Sequence, residues 1–461
     1  MDKTVFKEYD IRGVVGEGFD SSDAYLIARA FGSVIVRDGA KTVCTTYDGR
    51  ESSPSFAENV NKGLSDCGLK VFDTGLGTSP LNYYSINELN TDAGVMITAS
   101  HNPKEYNGIK PSLAKAVSFF GDDIRNLIPI IEAEDFVSGE GSIEKIDIIP
   151  RYLERIISDL NIAEDLKVVW DNGNGAGGEI LQELVKKIPG EHTVLYGDID
   201  GDFPNHHPDP SEHENLEDLQ KKVLELGADL GLALDGDADR LGIVTNKGEV
   251  VSNDIALAMF AKEELKKYPG GMIIGDIKCS KVLFDKIEEF GGEPLMWKTG
   301  HVFAKAKLKE FDGVLAGEIS GHMMFNKGFY GFDDGIYAGI KMMNIVSNSK
   351  ETLSEMLAEY PKTYSTPETR IEVPEEDKFA ISDKFAVAIK AMPEFSVIDI
   401  DGVRATNEDG IIMLRASNTQ NLLSIRCESL TGEDGLDRLL DLLMVELPKV
   451  GVDVSRDIFI K

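Results

Sequence analysis

The chain has 461 residues, of which 42% are hydrophobic and 28% charged, and its formal net charge is −32 at pH 7. That length excludes a single core and leads us to expect three or four domains of ~100–150 residues. The acidity argues against sequence-independent binding of nucleic acid, and no apolar run approaches the ~18 residues of a membrane span.

Residues 1–8 lack the apolar core of a signal peptide. Cys44, Cys67, Cys279 and Cys427 are too scattered for a disulfide framework or a zinc site. A soluble protein of a reducing, cytoplasmic compartment is expected. Residues 41–50 form an apolar strand ending in an acid and a glycine turn, followed by a helical pattern at 57–63 and a short strand at 69–72. Residues 94–97 read as a buried strand that leads into Thr98-Ala99-Ser100-His101-Asn102-Pro103. This polar loop sets one hydroxyl at a strand end, where reactive groups are commonly displayed. The strand–helix–strand order recurs at 167–173, 179–187 and 192–196, and again at 271–276, 281–290 and 293–297. Each second strand runs into a glycine, Gly75, Gly197 or Gly300, so each following loop can be tight. Three such units predict three similar α/β domains with mostly parallel sheets. The apolar run 230–234 ends in Asp235-Gly236-Asp237-Ala238-Asp239-Arg240, and Gly317-Glu318-Ile319-Ser320-Gly321-His322 lies in the third unit. After a hinge at 361–367, short alternating strands at 369–373, 396–403 and 411–415 and helices at 377–390 and 434–447 predict a C-terminal α+β domain with an antiparallel sheet. The expected domains are 1–150, 151–250, 251–365 and 366–461.

Ser100 and the aspartate loop together suggest phosphoryl transfer, a nucleophilic hydroxyl beside carboxylates suited to a hard divalent cation. Asp235, Asp237 and Asp239 alternate, so an extended loop would turn all three carboxylates to one side. Three such anions call for a counterion. An EF-hand is excluded by Arg240 at its sixth position and Asn246 at its twelfth. Gly173, Gly175 and Gly178 fit G-x-G-x-x-G after a strand. That loop belongs to a repeated unit, however, and Asp171 would repel a pyrophosphate, so a structural turn is expected. Glu318, Ser320 and His322 offer hydroxyl-binding groups. Arg415, Ser417, Asn418 and Thr419 combine donors able to surround a phosphate dianion. His206 and His207 read as a structural loop or outer sugar contacts. A phosphate held by so acidic a chain needs local cations, since one at ~4 Å contributes about 4 kcal/mol at a dielectric of ~20. Carboxylates beyond ~8 Å are largely screened.

These four loops, in this order, resemble the signature loops of the α-D-phosphohexomutases. The likeness runs from Tyr9-Asp10-Ile11-Arg12-Gly13 to the last fifty residues. Residues 203–210 are similar to the phosphomannomutase/phosphoglucomutase branch. The resemblance implies four domains around a central cleft, with Ser100 carrying the phosphoryl group between cycles. It also implies Mg²⁺ on Asp235, Asp237, Asp239 and the Ser100 oxygen, and a hexose 1,6-bisphosphate intermediate that also serves as activator. Glu318 and Ser320 would contact adjacent sugar hydroxyls, and Lys298, His301 and His322 would make further substrate contacts. Tyr9, Arg12, Lys110 and Arg240 would lie near the cleft, Arg240 and Lys110 at the transferring phosphate. His101 and Lys110 are both candidates for the general base. The partners implied are sugar phosphates, and a monomer is expected. The alternatives are a phosphoglucosamine mutase, a Rossmann-type oxidoreductase and a sugar-phosphate-binding protein without turnover.

Overall fold

The computed structural model describes residues 1–374, 376–417 and 421–459. Among the described residues the strands form four sheets. The first runs Ile11–Val14, Tyr106–Leu113, Ala93–Ile97, Thr42–Tyr47, Lys70–Leu76 and Ser142–Lys145, with Val117–Ser118 paired to the second of these. The second runs Val250–Val251, Leu241–Thr245, Leu230–Leu234, Lys167–Asp171 and Glu191–Leu195. The third runs Glu293–Trp297, Met272–Asp276, Leu315–Gly317 and Met323–Phe325.

One plan underlies these three sheets. A parallel pair carries a third parallel strand on its free side, and that strand turns back into an antiparallel fourth. The central strands Ala93–Ile97 and Leu230–Leu234 are buried along their whole length, which explains their unbroken apolar sequences. The turn-back loops are the Ser100 loop, the Asp235–Arg240 loop and the Glu318–His322 loop. All three signature loops therefore occupy the same joint of a repeated unit. The fourth sheet is wholly antiparallel, and its hairpin between Gly410–Ala416 and Leu422–Ser429 carries the Ser417 loop. The expected hinge at 361–367 also supplies a strand, Tyr364–Ser365, paired to Leu422–Ser429.

Helix Ser79–Glu88, capped by the Thr78 hydroxyl, is buried on nearly every side, and its Leu81, Tyr83, Tyr84 and Ile86 enter a core shared with the second and third sheets. The last unit has a core of its own, drawn wholly from residues after 370. It docks on the third through polar groups. Arg404 donates to the Cys279 carbonyl at 2.6 Å, Arg426 donates to that of Lys278 at 2.9 Å, and Ser280 donates to Glu428 at 2.6 Å. Lys278 pairs with Glu368 at 3.1 Å. The four cysteines are buried free thiols. Among the described residues no helix is long and apolar enough to cross a membrane.

Candidate active site

Ser100 sits with φ +51°, in the left-handed region that costs an L-residue ~1–2 kcal/mol. The loop is held there by Arg50, which is 1% exposed. Its guanidinium donates to the carbonyls of Ser100 at 2.8 Å, Asn102 at 2.6 Å, Pro103 at 2.7 Å and Tyr106 at 3.1 Å. It also pairs with Asp48 at 3.1 Å. Arg50 was not among the residues expected at the site, because a residue whose partners are main-chain carbonyls fifty positions away leaves no pattern in the sequence. The Ser100 hydroxyl lies 3.0 Å from Asp235 Oδ2 and 3.0 Å from His101 Nδ1. Burial, reinforced by Arg240 and Arg12, pushes the His101 imidazole well below its usual pKa and keeps it neutral.

Asp235, Asp237 and Asp239 are buried, each offering an oxygen within 4.8 Å of the others. Their loop is not extended. Ala238 takes φ +60° and its N–H donates to the Asp235 carbonyl at 3.0 Å, so the carboxylates converge because the chain folds back on itself. Strain of ~1–2 kcal/mol at Ala238 is offset by burial of its methyl, about 0.8 kcal/mol. The lower entropy of unfolded alanine relative to glycine adds a further ~0.4–1 kcal/mol. Lys110 Nζ bridges Asp237 at 2.7 Å and Asp239 at 3.2 Å. Burial disfavours its charge, but the two carboxylates outweigh burial and hold it protonated far above the usual lysine range. In this structure Lys110 is thus a cation braced by two carboxylates.

Asp235 is pushed well up by burial and then by Asp239 and Asp237. Asp237 is held well down despite burial, by Lys110 and the Ser79 hydroxyl at 2.5 Å. Asp237 Oδ1 is buried without a hydrogen-bond partner among the described residues. The loop is short of positive charge, and its all-oxygen donor set fits a hard divalent cation, with the Ser100 oxygen at its edge.

Arg240 donates through its backbone N–H to Asp235 at 3.1 Å and through Nε to His322 Nε2 at 3.1 Å. Burial opposes its charge, but Asp209, 3.6 Å away, and the aspartate loop raise its pKa. Arg12 donates to Asn102 Oδ1 at 2.6 Å and pairs with Asp10, so it too flanks the serine loop. In the third loop Glu318 accepts from the Gly300 N–H at 2.7 Å and the Ser320 hydroxyl at 3.1 Å, and burial raises its pKa. His301 and His322 stack at 4.9 Å around Asp333, which also binds Lys305 at 3.0 Å. Asp333 too was missed in the sequence, where it reads as one of two acids ahead of a helix. Lys298 is exposed at the rim, its Nζ 5.9 Å from the Phe303 ring centre.

The Tyr9 hydroxyl donates to the Thr299 carbonyl at 3.1 Å, the Thr299 N–H donates to Asp401 at 3.1 Å, and Asp401 pairs with Arg415 at 3.2 Å. This path ties the first, third and last units together. Burial disfavours the Arg415 charge, but Asp401, Tyr9, Glu368 and Asp276 together outweigh it. The Ser417 N–H closes its hairpin on Leu422 at 2.9 Å. Asn418 and Thr419 lie outside the described residues.

The glycine loop at 173–178 is packed against its neighbours. A side chain at Gly178 would meet the Gly197 carbonyl at 2.1 Å, and one at Gly175 would meet that of Gly236 at 2.9 Å. Ala176 N–H donates to the Gly236 carbonyl at 2.8 Å, so this loop buttresses the aspartates. Asp171 is engaged by His206 at 3.1 Å, which makes His206 structural.

Sequence profiles of phosphoglucomutase/phosphomannomutase α/β/α domains I, II and III match residues 3–138, 150–248 and 252–364, and that of the C-terminal domain matches 368–444. The chain is 42% identical to a phosphomannomutase/phosphoglucomutase of Pseudomonas putida over 97% of its own length and 96% of that protein. It is 40% identical to a phosphoglucomutase of Neisseria gonorrhoeae over 93% of both. Its fold superposes on the crystal structure of a phosphoglucomutase/phosphomannomutase family protein from Burkholderia thailandensis with a TM-score of 0.93. That comparison covers 98% of this chain and 99% of the other, at 38% identity. With three signature loops at the same joint of a repeated unit and all four domain profiles matched along its length, the chain belongs to the phosphoglucomutase/phosphomannomutase family.

Proposed function

We propose that this mutase interconverts the 1-phosphate and 6-phosphate of glucose and mannose through a phosphorylated Ser100. The observation that carries the reading is the Ser100 hydroxyl, set between a neutral imidazole and a buried carboxylate cluster, each at 3.0 Å. The phosphoryl group passes from the seryl oxygen to the free sugar hydroxyl. The seryl P–O bond breaks, the new P–O bond forms in line with it, and the hydroxyl proton is the one that Ser100 finally carries. His101 Nδ1 is the group placed to hold a proton at the seryl oxygen. The hexose 1,6-bisphosphate then reverses in the cleft and returns its other phosphate to Ser100. Added bisphosphate would likewise rephosphorylate an idle enzyme.

Lys110, Arg240 and Arg12 supply fixed positive charge for the transfer. A magnesium ion held by Asp235, Asp237, Asp239 and the Ser100 oxygen would neutralise charge on the moving phosphoryl group. Glu318 and Ser320 read sugar hydroxyls, and Tyr9, Lys298, His301 and His322 complete that side of the cleft. Arg415 and Ser417, with Asn418 and Thr419, hold the phosphate that is not reacting. The names of the relatives favour this reading over a phosphoglucosamine mutase, and the packed glycine loop opposes an oxidoreductase. We also propose domains of 1–150, 151–250, 251–365 and 366–461 and a monomer working in the cytoplasm on sugar phosphates.

Ser100→Ala tests the mechanism. The wild-type protein is expected to show a phosphate adduct by intact mass and to turn over glucose and mannose 1-phosphates in a coupled assay. The variant should lose the adduct and nearly all turnover while keeping its melting temperature. Near-normal turnover in Ser100→Ala would falsify the covalent route.

A further inference from the structure

Beside the aspartate loop, four buried atoms converge: Asp239 Oδ1, His301 Nδ1, His322 Nδ1 and Asp333 Oδ2. Their side chains are 1%, 14%, 5% and 0% exposed. None of these atoms makes an aligned hydrogen bond among the described residues, and each of the four side chains offers a ligand atom within 4.8 Å of the others. The four meet at ion-pair distance without closing an aligned hydrogen bond, so part of the ~1–3 kcal/mol that a buried polar group costs is left unrecovered at each. The Nδ1 atoms of His322 and His301 stand 2.9 and 3.0 Å from Asp333 Oδ2, and His322 Nδ1 stands 3.5 Å from Asp239 Oδ1. An imidazole–carboxylate pair would explain these distances but not their direction, since neither ring nitrogen is aligned on the oxygen. Donors around one ion with bonds of ~2.0–2.1 Å have this spacing.

We propose that these residues form a second metal site, for a borderline divalent ion such as Zn²⁺ or Co²⁺, which goes beyond the mutase reading above. Two imidazoles and two carboxylates suit such ions, whereas the all-oxygen aspartate loop suits Mg²⁺. Asp239 serves both sites. Its Oδ2 faces Lys110 in the aspartate loop and its Oδ1 faces the histidines. Lys305, bound to the other oxygen of Asp333 at 3.0 Å, fixes that carboxylate from outside.

Occupation has a consequence for Arg240. At present His322 Nε2 accepts from Arg240 Nε at 3.1 Å, so the proton of the neutral ring sits on Nδ1. A metal on Nδ1 sends that proton to Nε2, which then faces the guanidinium as donor against donor. The bond breaks and Arg240 must shift, so the loaded site is inhibitory while Mg²⁺ stays in place. The inhibition rests on the role given to Arg240 above; the binding does not.

The test titrates Co²⁺ into the metal-free full chain under saturating Mg²⁺. We expect one bound equivalent with visible d–d bands, and Zn²⁺ that displaces it and slows turnover. His301→Gln and Asp333→Asn should each weaken Co²⁺ at least ~tenfold, since even outer-shell losses cost 10–100-fold. If Asp333→Asn fails to fold, His301→Gln, the least buried of the four positions, carries the test. Loss of all Co²⁺ to Mg²⁺, or wild-type affinity in the folded variants, overturns the site. Binding without inhibition by Zn²⁺ overturns the coupling to Arg240.

Discussion

Arg50 shows how much of this site is held by a group that never touches substrate. Its buried fork satisfies four carbonyls of the serine loop and lies 5.3 Å above the Phe203 ring. Lysine offers a point charge on a stem and cannot reproduce the fork. Arg50→Lys leaves at least two buried carbonyls unpaired, which costs about 2–6 kcal/mol at ~1–3 kcal/mol each. Calorimetry should therefore show a melting temperature lowered by several degrees, with turnover reduced further because Ser100 is no longer pinned. An unchanged melting temperature would remove Arg50 from this role. What the sequence disclosed at this scale was the chemistry carried in short runs, Ser100 with His101 and the three alternating aspartates. Arg50 and Asp333 stayed hidden because their partners are backbone carbonyls or single side chains tens of residues away. The same distance hid the fate of Lys110, whose pairing with Asp237 and Asp239 is a tertiary fact.

The working parts of the elements are their hairpin tips. The serine and aspartate tips meet at Gly236, where an added methyl would lie 2.4 Å from the Ser100 carbonyl oxygen. Gly236→Ala must push the two backbones apart, because neither side of the contact is a flexible side chain. Mg²⁺ should then bind more weakly and turnover fall at least tenfold, while the circular dichroism spectrum stays that of the parent. Isothermal titration with Mg²⁺ and the coupled assay read the two effects, and wild-type values in both would show that the tips have slack. The internal strand–helix–strand repeat was readable from apolar runs and glycines. The returning strands Tyr106–Leu113, Leu241–Thr245 and Met323–Phe325, which make the tips equivalent, were not. They differ in length and composition, so only their pairing reveals them. The same holds for Tyr364–Ser365, a strand inside a stretch that reads as linker.

At the scale of the molecule, a net charge of −32 coexists with an anion site because Arg12, Lys110 and Arg240 are gathered beside Ser100. The last unit is attached more loosely. Glu368 is drawn down to about 2, burial pushing it up but Lys278 of the third unit and the Ser424 hydroxyl together outweighing burial. A carboxyl lowered on folding contributes stability that is complete above its ordinary value near 4.5 and is lost as pH falls through about 2. At 30% exposure that contribution is about 1–2 kcal/mol after solvent screening. Glu368→Gln should lower the urea midpoint at pH 7, and the gap from wild type should narrow at pH 3; equal gaps at both would contradict the assignment. The core of the last unit takes no residue from the other three, and among the described residues its seam with the third unit covers only a few apolar side chains, Ile411 and Met413 beside Cys279. Each hydrogen bond broken there is replaced by one to water at a net ~0.5–1.5 kcal/mol, and the apolar surface opened at ~25 cal/mol per Å² is confined to those few side chains. The cleft therefore has a door held chiefly by polar latches, and of the seams around it this is the one whose opening, to let a two-phosphate sugar turn end over end, would cost least.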